Sequence, residues 1–298
     1  MNYLGELAAL FTSLCFSVSA VILTQASRQI GALNTNRVRL IIAASYLAVI
    51  NVALFGRPLP INAGIDRWAW LGLSGVIGLA LGDQFLFRAY ALIGPRLSML
   101  MMSLAPAISA VAAWVIFGET LRLGQIAGMT VTLIGVAWVV AARPANGAAR
   151  PSVPLSGIIF GLLAATGQGL GLVLARPGMR GDFSPFAGNA IRMSSAAVVL
   201  WLITFAQRQG APTIQSLRDH RSALRLLMLG GLFGPVLGVS ASLLAIQHTA
   251  IGVASTLTAL PPVFLLPIGY FVYKERFGWQ TVIGTMVALI GVGMLFLA

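Results

Sequence analysis

Charge is what this 298-residue sequence has least of. Asp, Glu, Lys and Arg together make up 9% of the chain, where a soluble domain carries about 25%. A water-facing surface is therefore excluded for most of it. Cysteine is nearly absent too. Cys15 stands alone, which rules out an internal disulfide and a Cys-rich metal frame. The two histidines, His220 and His248, have no second ligand at zinc spacing. A P-loop is missing, and Gly167-Gln168-Gly169-Leu170-Gly171 breaks the G-x-G-x-x-G pattern inside an apolar run. Enzyme chemistry, cofactor and metal are accordingly not expected, and any work must draw on an ion gradient or on the solute's own gradient. The opening stretch MNYLGELAALF lacks the basic segment of a signal peptide, which predicts a retained first helix.

What the chain has in abundance is apolar sequence, 58% by residue, with a mean hydropathy of +0.91. A net charge of +12 would suggest nucleic acid in a soluble protein. Here the arginines fall mainly in short loops between apolar runs, so the expected partner is the lipid bilayer and not nucleic acid. Runs of roughly 18 to 23 residues are long enough to span a bilayer. They are predicted at 4–24, 38–55, 68–92, 97–117 and 123–142, then at 155–175, 189–206, 223–246, 251–273 and 278–298. The polar loop 207–221 has room for a short interfacial helix.

The two sets of runs are copies of each other. Adding 156 to each number takes Gly78 to Gly234, Gly82 to Gly238, Ala89 to Ala245, Pro106 to Pro262, Glu119 to Glu275, Gly128 to Gly284 and Gly135 to Gly291, with no gap. The landmarks are residues that fix backbone shape and close packing rather than a chance match of leucines. Upstream, with small shifts, Asn36-x-x-Arg39 matches Asn189-x-x-Arg192, and Gly5 with Ala9 matches Gly157 with Gly161. The chain thus divides into a first repeat at 1–143, a Pro/Gly/Arg linker at 144–154 and a second repeat at 155–298. Five spans per repeat is an odd number, so the second repeat must enter the membrane upside down. The fold class predicted is an all-α polytopic membrane protein with about ten transmembrane helices in two inverted five-helix repeats. A binding site is expected between the halves.

Candidate residues follow from polarity inside apolar runs. Stripes of small residues, such as Gly78-x-x-x-Gly82 and Gly234-x-x-x-Gly238, let helices approach closely, and packing alone explains most of them. Gln168, in the stripe of the sixth span, cannot face lipid cheaply and must bond a neighbouring helix or line a wet cavity. Its companions on the first span are Thr12 and Ser19, and these three, with Asp83 and Gln84, are the expected substrate-binding residues. Asp83, followed by Gln84, lies well inside the apolar zone, and its repeat mate is Val239. Two readings stand for Asp83: a salt bridge to Arg39, Arg37 or Arg88, or a role in transport as a proton carrier, since desolvation disfavours a charged carboxyl. Asn36, Arg39, Asn189 and Arg192, with Arg88, are gating or structural polar residues. Pro106 and Pro262 are expected to bend their helices, as are Pro235 and Pro267. Glu119 and Glu275 are expected to stabilise the positive ends of the helices that follow them.

The pattern Pro106…Gly118-Glu119-Thr120…Gly128…Gly135, repeated as Pro262…Lys274-Glu275-Arg276…Gly284…Gly291, resembles the EamA-type permeases of the drug/metabolite transporter superfamily over nearly the whole chain. That resemblance implies ten helices around a central cavity lined mainly by helices 1, 3, 4, 6, 8 and 9. It also implies export of an amino acid, metabolite or drug across the inner (plasma) membrane by proton exchange or facilitated flow, as a monomer or homodimer. Relatives keep both termini in the cytoplasm. The arginine count, thirteen Lys/Arg on the side of loop 207–221 against six on the other, places that loop in the cytoplasm and both termini outside. The function expected is alternating-access export of a small organic solute. A membrane interaction protein in which the stripes only pack helices is the alternative.

Overall fold

The computed structural model describes residues 3–102, 104–141, 154–261, 263–265 and 278–297. Every regular element among them is helical. In the first half, α1 (Leu4–Ile30) and α2 (Ala32–Phe55) are joined at Gly31. A short 3-10 turn precedes α3 (Ile65–Gly75), which passes through a π-helical turn, Val76–Gly82, into α4 (Asp83–Met102). α5 (Ala105–Phe117) and α6 (Leu123–Ala141) follow. The second half has α7 (Leu155–Gly178), α8 (Pro185–Ala206), α9 (Gly210–Asp219) and α10 (Arg221–Gly231). A second π turn, Leu232–Gly238, leads into α11 (Val239–His248), and α12 (Ile251–Thr258) and α13 (Trp279–Leu297) complete the described chain. Chain reversals fall at glycines where the sequence needs them. Gly56 and Gly118 take left-handed conformations, with φ of 71° and 65°, and stop α2 and α5.

Among the described residues, six stretches are long and apolar enough to cross a membrane: Leu4–Ile30, Ala32–Phe55, Ile65–Ile93, Leu155–Gly178, Pro185–Ala206 and Arg221–His248. α5, α6, α12 and α13 supply shorter apolar stretches. Outward faces carry large bare side chains, among them Val49, Val111, Val115 and Leu202. Patches of this kind would promote association in water but suit contact with lipid.

The halves embrace each other through the landmark glycines. A Cβ on Gly171 of α7 would stand 2.8 Å from Gly78 Cα, and one on Gly167 would stand 2.7 Å from Gly82 Cα. The copied contact joins α1 to the second π turn, where Gly234 faces Ser19 and Gly238 faces Phe16. On α6 and α13, Gly135 lies against Ala288 and Gly291 against Thr132. Those two pairs exchange on adding 156 to one member and subtracting it from the other, as contacts across a two-fold axis must. In each case numbers rise along one helix as they fall along its partner, so the paired helices run antiparallel. α2 and α8 do the same: Trp201 Nε1 donates to Arg37 O at 3.1 Å, and Asn51 Nδ2 to Phe186 O at 3.4 Å.

Two elements depart from the sequence reading. α4 continues as helix through Gly94-Pro95 to Met102, where a loop between the third and fourth spans was expected. Pro106, expected to bend a continuous helix, instead sits in the first turn of α5 after a break. A missing N–H costs little there, because the first turn leaves its donors unpaired anyway. Pro262, Pro267 and Glu275 lie outside the described residues, as does most of the linker. The loop 207–221 does contain a helix, α9.

Candidate functional site

Helices α2, α4 and α7 carry the polar centre. Asp83 is the first residue after the π turn, 4% exposed. Arg39 Nη2 of α2 donates to its Oδ2, and Gln168 Nε2 of α7 donates to its Oδ1. Arg39 also donates to Asn36 Oδ1 at 2.8 Å, one helical turn back on α2. Of the three arginines the sequence offers, Arg39 is the partner of Asp83. The network joins the two halves, because Gln168 belongs to the second and the other members to the first. Its neighbour Gln84 keeps a buried Oε1 without a hydrogen-bond partner, and Arg39 a buried Nε.

One turn further along α4, Phe87 packs beneath the Arg39 guanidinium, 5.6 Å from its ring centre. Phe87 also forms part of the wall of an open cavity of about 810 Å³ at the end of the bundle where α1 meets α2. Arg37, Arg88, Asn34, Phe160, Gln207 and Gln209 share that wall. The Arg88 guanidinium lies 5.6 Å from the Phe160 ring centre. Arg37 is buried and donates to Asn34 Oδ1 and Thr213 Oγ1, both at 3.1 Å, tying α2 to α9. This basic, amide-lined mouth stands over the Asp83 network, with Phe87 between them. A second hollow, about 500 Å³ and lined only by apolar side chains of α5 from Ala107 to Ile116, offers no polar group.

The remaining sequence candidates separate from this centre. Thr12 Oγ1 donates to Ala8 O at 2.9 Å and Gly238 O at 3.2 Å, and Ser19 Oγ donates to Gly230 O at 2.8 Å. Both hydroxyls are spent on holding α1 against α10 and the second π turn. Asn189 Nδ2 donates to Pro235 O at 2.7 Å and Ser240 Oγ at 2.9 Å. Arg192 is buried and makes no salt bridge with any described residue.

Glu119 departs from the local reading. Its Oε1 accepts the backbone N–H of Ile251 at 2.8 Å, capping α12 of the other half rather than the helix that follows it. Its Oε2 accepts from Arg176 Nη1 at 2.6 Å. Sequence reasoning also missed the Asn34–Arg37–Thr213 cluster. Its signal was present, since Asn34-x-x-Arg37 repeats the spacing of Asn36-x-x-Arg39 two residues earlier. Among the described residues no group of three His, Cys, Asp or Glu is placed to hold a metal ion.

The EamA-like transporter family matches the chain twice, over residues 3–141 and 155–297. A WAT1-related chloroplastic protein of Arabidopsis thaliana is 23% identical over 254 residues, covering 85% of this chain and 60% of its own length. The chain thus spans well under two thirds of that relative. A solved crystal structure superposes with a TM-score of 0.74 at 17% identity, covering 100% of this chain and 98% of its own, and so shares the fold. A bundle of apolar helices built from two copies of one unit, each copy matched separately, places this multi-pass membrane protein in the EamA-like transporter family.

Proposed function

We propose that this protein exports a small organic solute across the inner (plasma) membrane by alternating access, through ten spans arranged as two inverted repeats. The observation that carries this reading is the Asp83–Arg39–Gln168 network, a charged cluster buried across the interface of the halves. Ionisable groups at membrane depth are expensive, and helix packing alone does not need them. In a carrier they acquire a purpose. Rocking of the halves would break and remake the contacts between α4 and α7, and the basic mouth above Phe87 would be the opening on one side. Asp83, Gln84 and Gln168 form the polar wall, Arg39 with Asn36 sets the charge of Asp83, and Arg88 lines the way in. Thr12 and Ser19 serve this site by fixing α1. Asp83 is also the residue through which protons would couple to transport.

Orientation follows from the loop charges. Setting aside Arg37, Arg39 and Arg192, which are drawn into helix packing, still leaves the excess of basic residues on the side of α9. That side is assigned to the cytoplasm. A cysteine introduced at Ser216 should therefore resist an impermeant maleimide in intact cells, and ready labelling there reverses the assignment.

Transport itself is tested with purified protein in liposomes loaded with a metabolite extract, the efflux read by mass spectrometry. Selective, saturable loss of particular solutes supports the carrier. Liposomes that retain every solute as well as protein-free ones do would favour a protein that only packs or docks.

A further inference from the structure

Among the described residues, Arg192 is a buried charge with neither a hydrogen bond nor a salt bridge. Arg192 of α8 is 3% exposed, and its Nε and Nη1 are buried with no hydrogen bond. Its repeat mate, Arg39, is tied to Asp83 and Asn36. In the second half the residue that corresponds to Asp83 is Val239, which shares an apolar cluster with Val236 and with Ala190 and Met193, the α8 residues that flank Arg192 in sequence. Asn189 does not stand in, because its amide N–H groups go to Pro235 O and Ser240 Oγ. Arg192 does not turn to lipid either. Its Nη2 lies 3.6 Å from where a Cβ on Gly78 of the first π turn would be, a spot that Gly171 Cα and Gly167 O of α7 also approach. Arg39 already holds Asp83, so among the described residues the positive charge of Arg192 is left over.

We propose that Arg192 is an anion subsite that takes the carboxylate of a monoanionic or zwitterionic solute, filling the place that Val239 leaves without an acid. A guanidinium fork pairs with a carboxylate through parallel N–H···O bonds from Nη2 together with either Nε or Nη1, and neither of those last two has a hydrogen-bond partner here. One negative charge balances the excess, whereas a phosphate dianion would overshoot it. The side chain is enclosed in this conformation, so a solute reaches it when α8 and the first π turn part. This inference rests on the carrier reading only in taking the bound anion as cargo.

The test uses purified full-length protein in detergent. Glutamate and benzoate serve as carboxylate probes, glutamine and benzamide as their neutral counterparts, and inorganic phosphate as the alternative anion. Thermal stabilisation is followed against probe concentration for wild type, Arg192→Gln and Val239→Asp. At least one carboxylate should stabilise the wild type while its neutral counterpart does not. Its apparent affinity should fall about thirty-fold or more in Arg192→Gln. Val239→Asp supplies the missing acid from within, so it should melt higher than wild type without any probe and lose the carboxylate response. This second variant decides the matter if Arg192→Gln folds poorly. A carboxylate response that survives in Val239→Asp, no carboxylate response in the wild type, or a response to phosphate alone would each overturn the proposal. Liposome efflux separates the two readings. Carboxylate binding without efflux sinks the carrier and leaves the subsite, and efflux without carboxylate binding does the reverse.

Discussion

Val76–Gly82 and Leu232–Gly238 are π-helical at positions 156 residues apart, yet the residue that follows is Asp83 in one half and Val239 in the other. Proline does not impose the shared geometry, because Pro235 of the second turn corresponds to Leu79 of the first. What the turns share is a pair of glycines set against a helix of the opposite half: Gly78 and Gly82 against α7, Gly234 and Gly238 against α1. The packing skeleton therefore recurs twice while the charged site occurs once. Both halves need the close approach, but only one carries the carboxylate. π turns recur at functional sites, and here the backbone device is retained even where the polar residue is not.

A second contrast lies at the ends of the two π-containing helices. α11 stops at His248, Thr249 is extended with φ −141° and ψ 168°, and α12 starts at Ile251 under the Glu119 cap. The corresponding residue in the first half is Pro95, which has no N–H to offer a cap, and α4 runs on through it. The same duplicated sequence thus breaks its helix in one half and continues it in the other.

Substitutions can break or sharpen this comparison, and the largest effect is expected at the charged centre. Asp83→Asn leaves Arg39 without its ionic partner, a loss of about 3–5 kcal/mol. Melting temperature and yield in detergent should fall, and adding Arg39→Gln should recover most of both. Absence of any loss would show that the buried pair is not what holds α2 to α4.

Next come the glycines. Gly171→Ala sets a Cβ against backbone, 2.8 Å from Gly78 Cα and 3.2 Å from Ser74 O, and should cost about 1–3 kcal/mol by overpacking. Gly234→Ala meets the Ser19 side chain instead. It should cost less and be relieved by Ser19→Gly. Equal costs, or no relief, would contradict the view that the two halves approach through different atoms.

The Glu119 cap comes third. Glu119→Ala removes both the acceptor for Ile251 N–H and the Arg176 pair, for about 0.5–2 kcal/mol. Glu119→Gln keeps an acceptor and loses an ion pair whose Arg176 side chain is 36% exposed, so its cost is about 1 kcal/mol or less and shrinks in high salt. The smallest effect is expected at the mouth. Arg88→Gln gives up a contact with the Phe160 ring worth about 0.5–1 kcal/mol, read as a small drop in melting temperature. A loss as large as that of Asp83→Asn would make Arg88 part of the core network.

Much of this architecture was readable from the chain because glycines at helix crossings are chosen by backbone proximity, which duplication preserves. Gly78, Gly82, Gly135 and their mates stood out for that reason, and each meets the opposite half. Asp83 stood out because an acid inside an apolar run must find a partner. Which arginine would answer was not readable, since Arg39 and Asp83 are 44 residues apart and meet only when α2 packs on α4. Glu119 was assigned to the next helix by a local rule, whereas the fold brings the start of α12 to it. The π turns leave no periodic signal over seven residues. The missing partner of Arg192 shows only in the fold, which leaves its Nε and Nη1 buried without a hydrogen bond.

The central claim, that the buried network between the halves is the working centre of a carrier, is tested most directly by efflux from extract-loaded liposomes containing Asp83→Asn/Arg39→Gln. This double variant removes the ion pair without stranding Arg39. The account predicts yield and melting temperature near wild type with solute efflux abolished. Wild-type efflux from a well-folded double variant would contradict it, and would leave the Asp83–Arg39 pair as packing between helices.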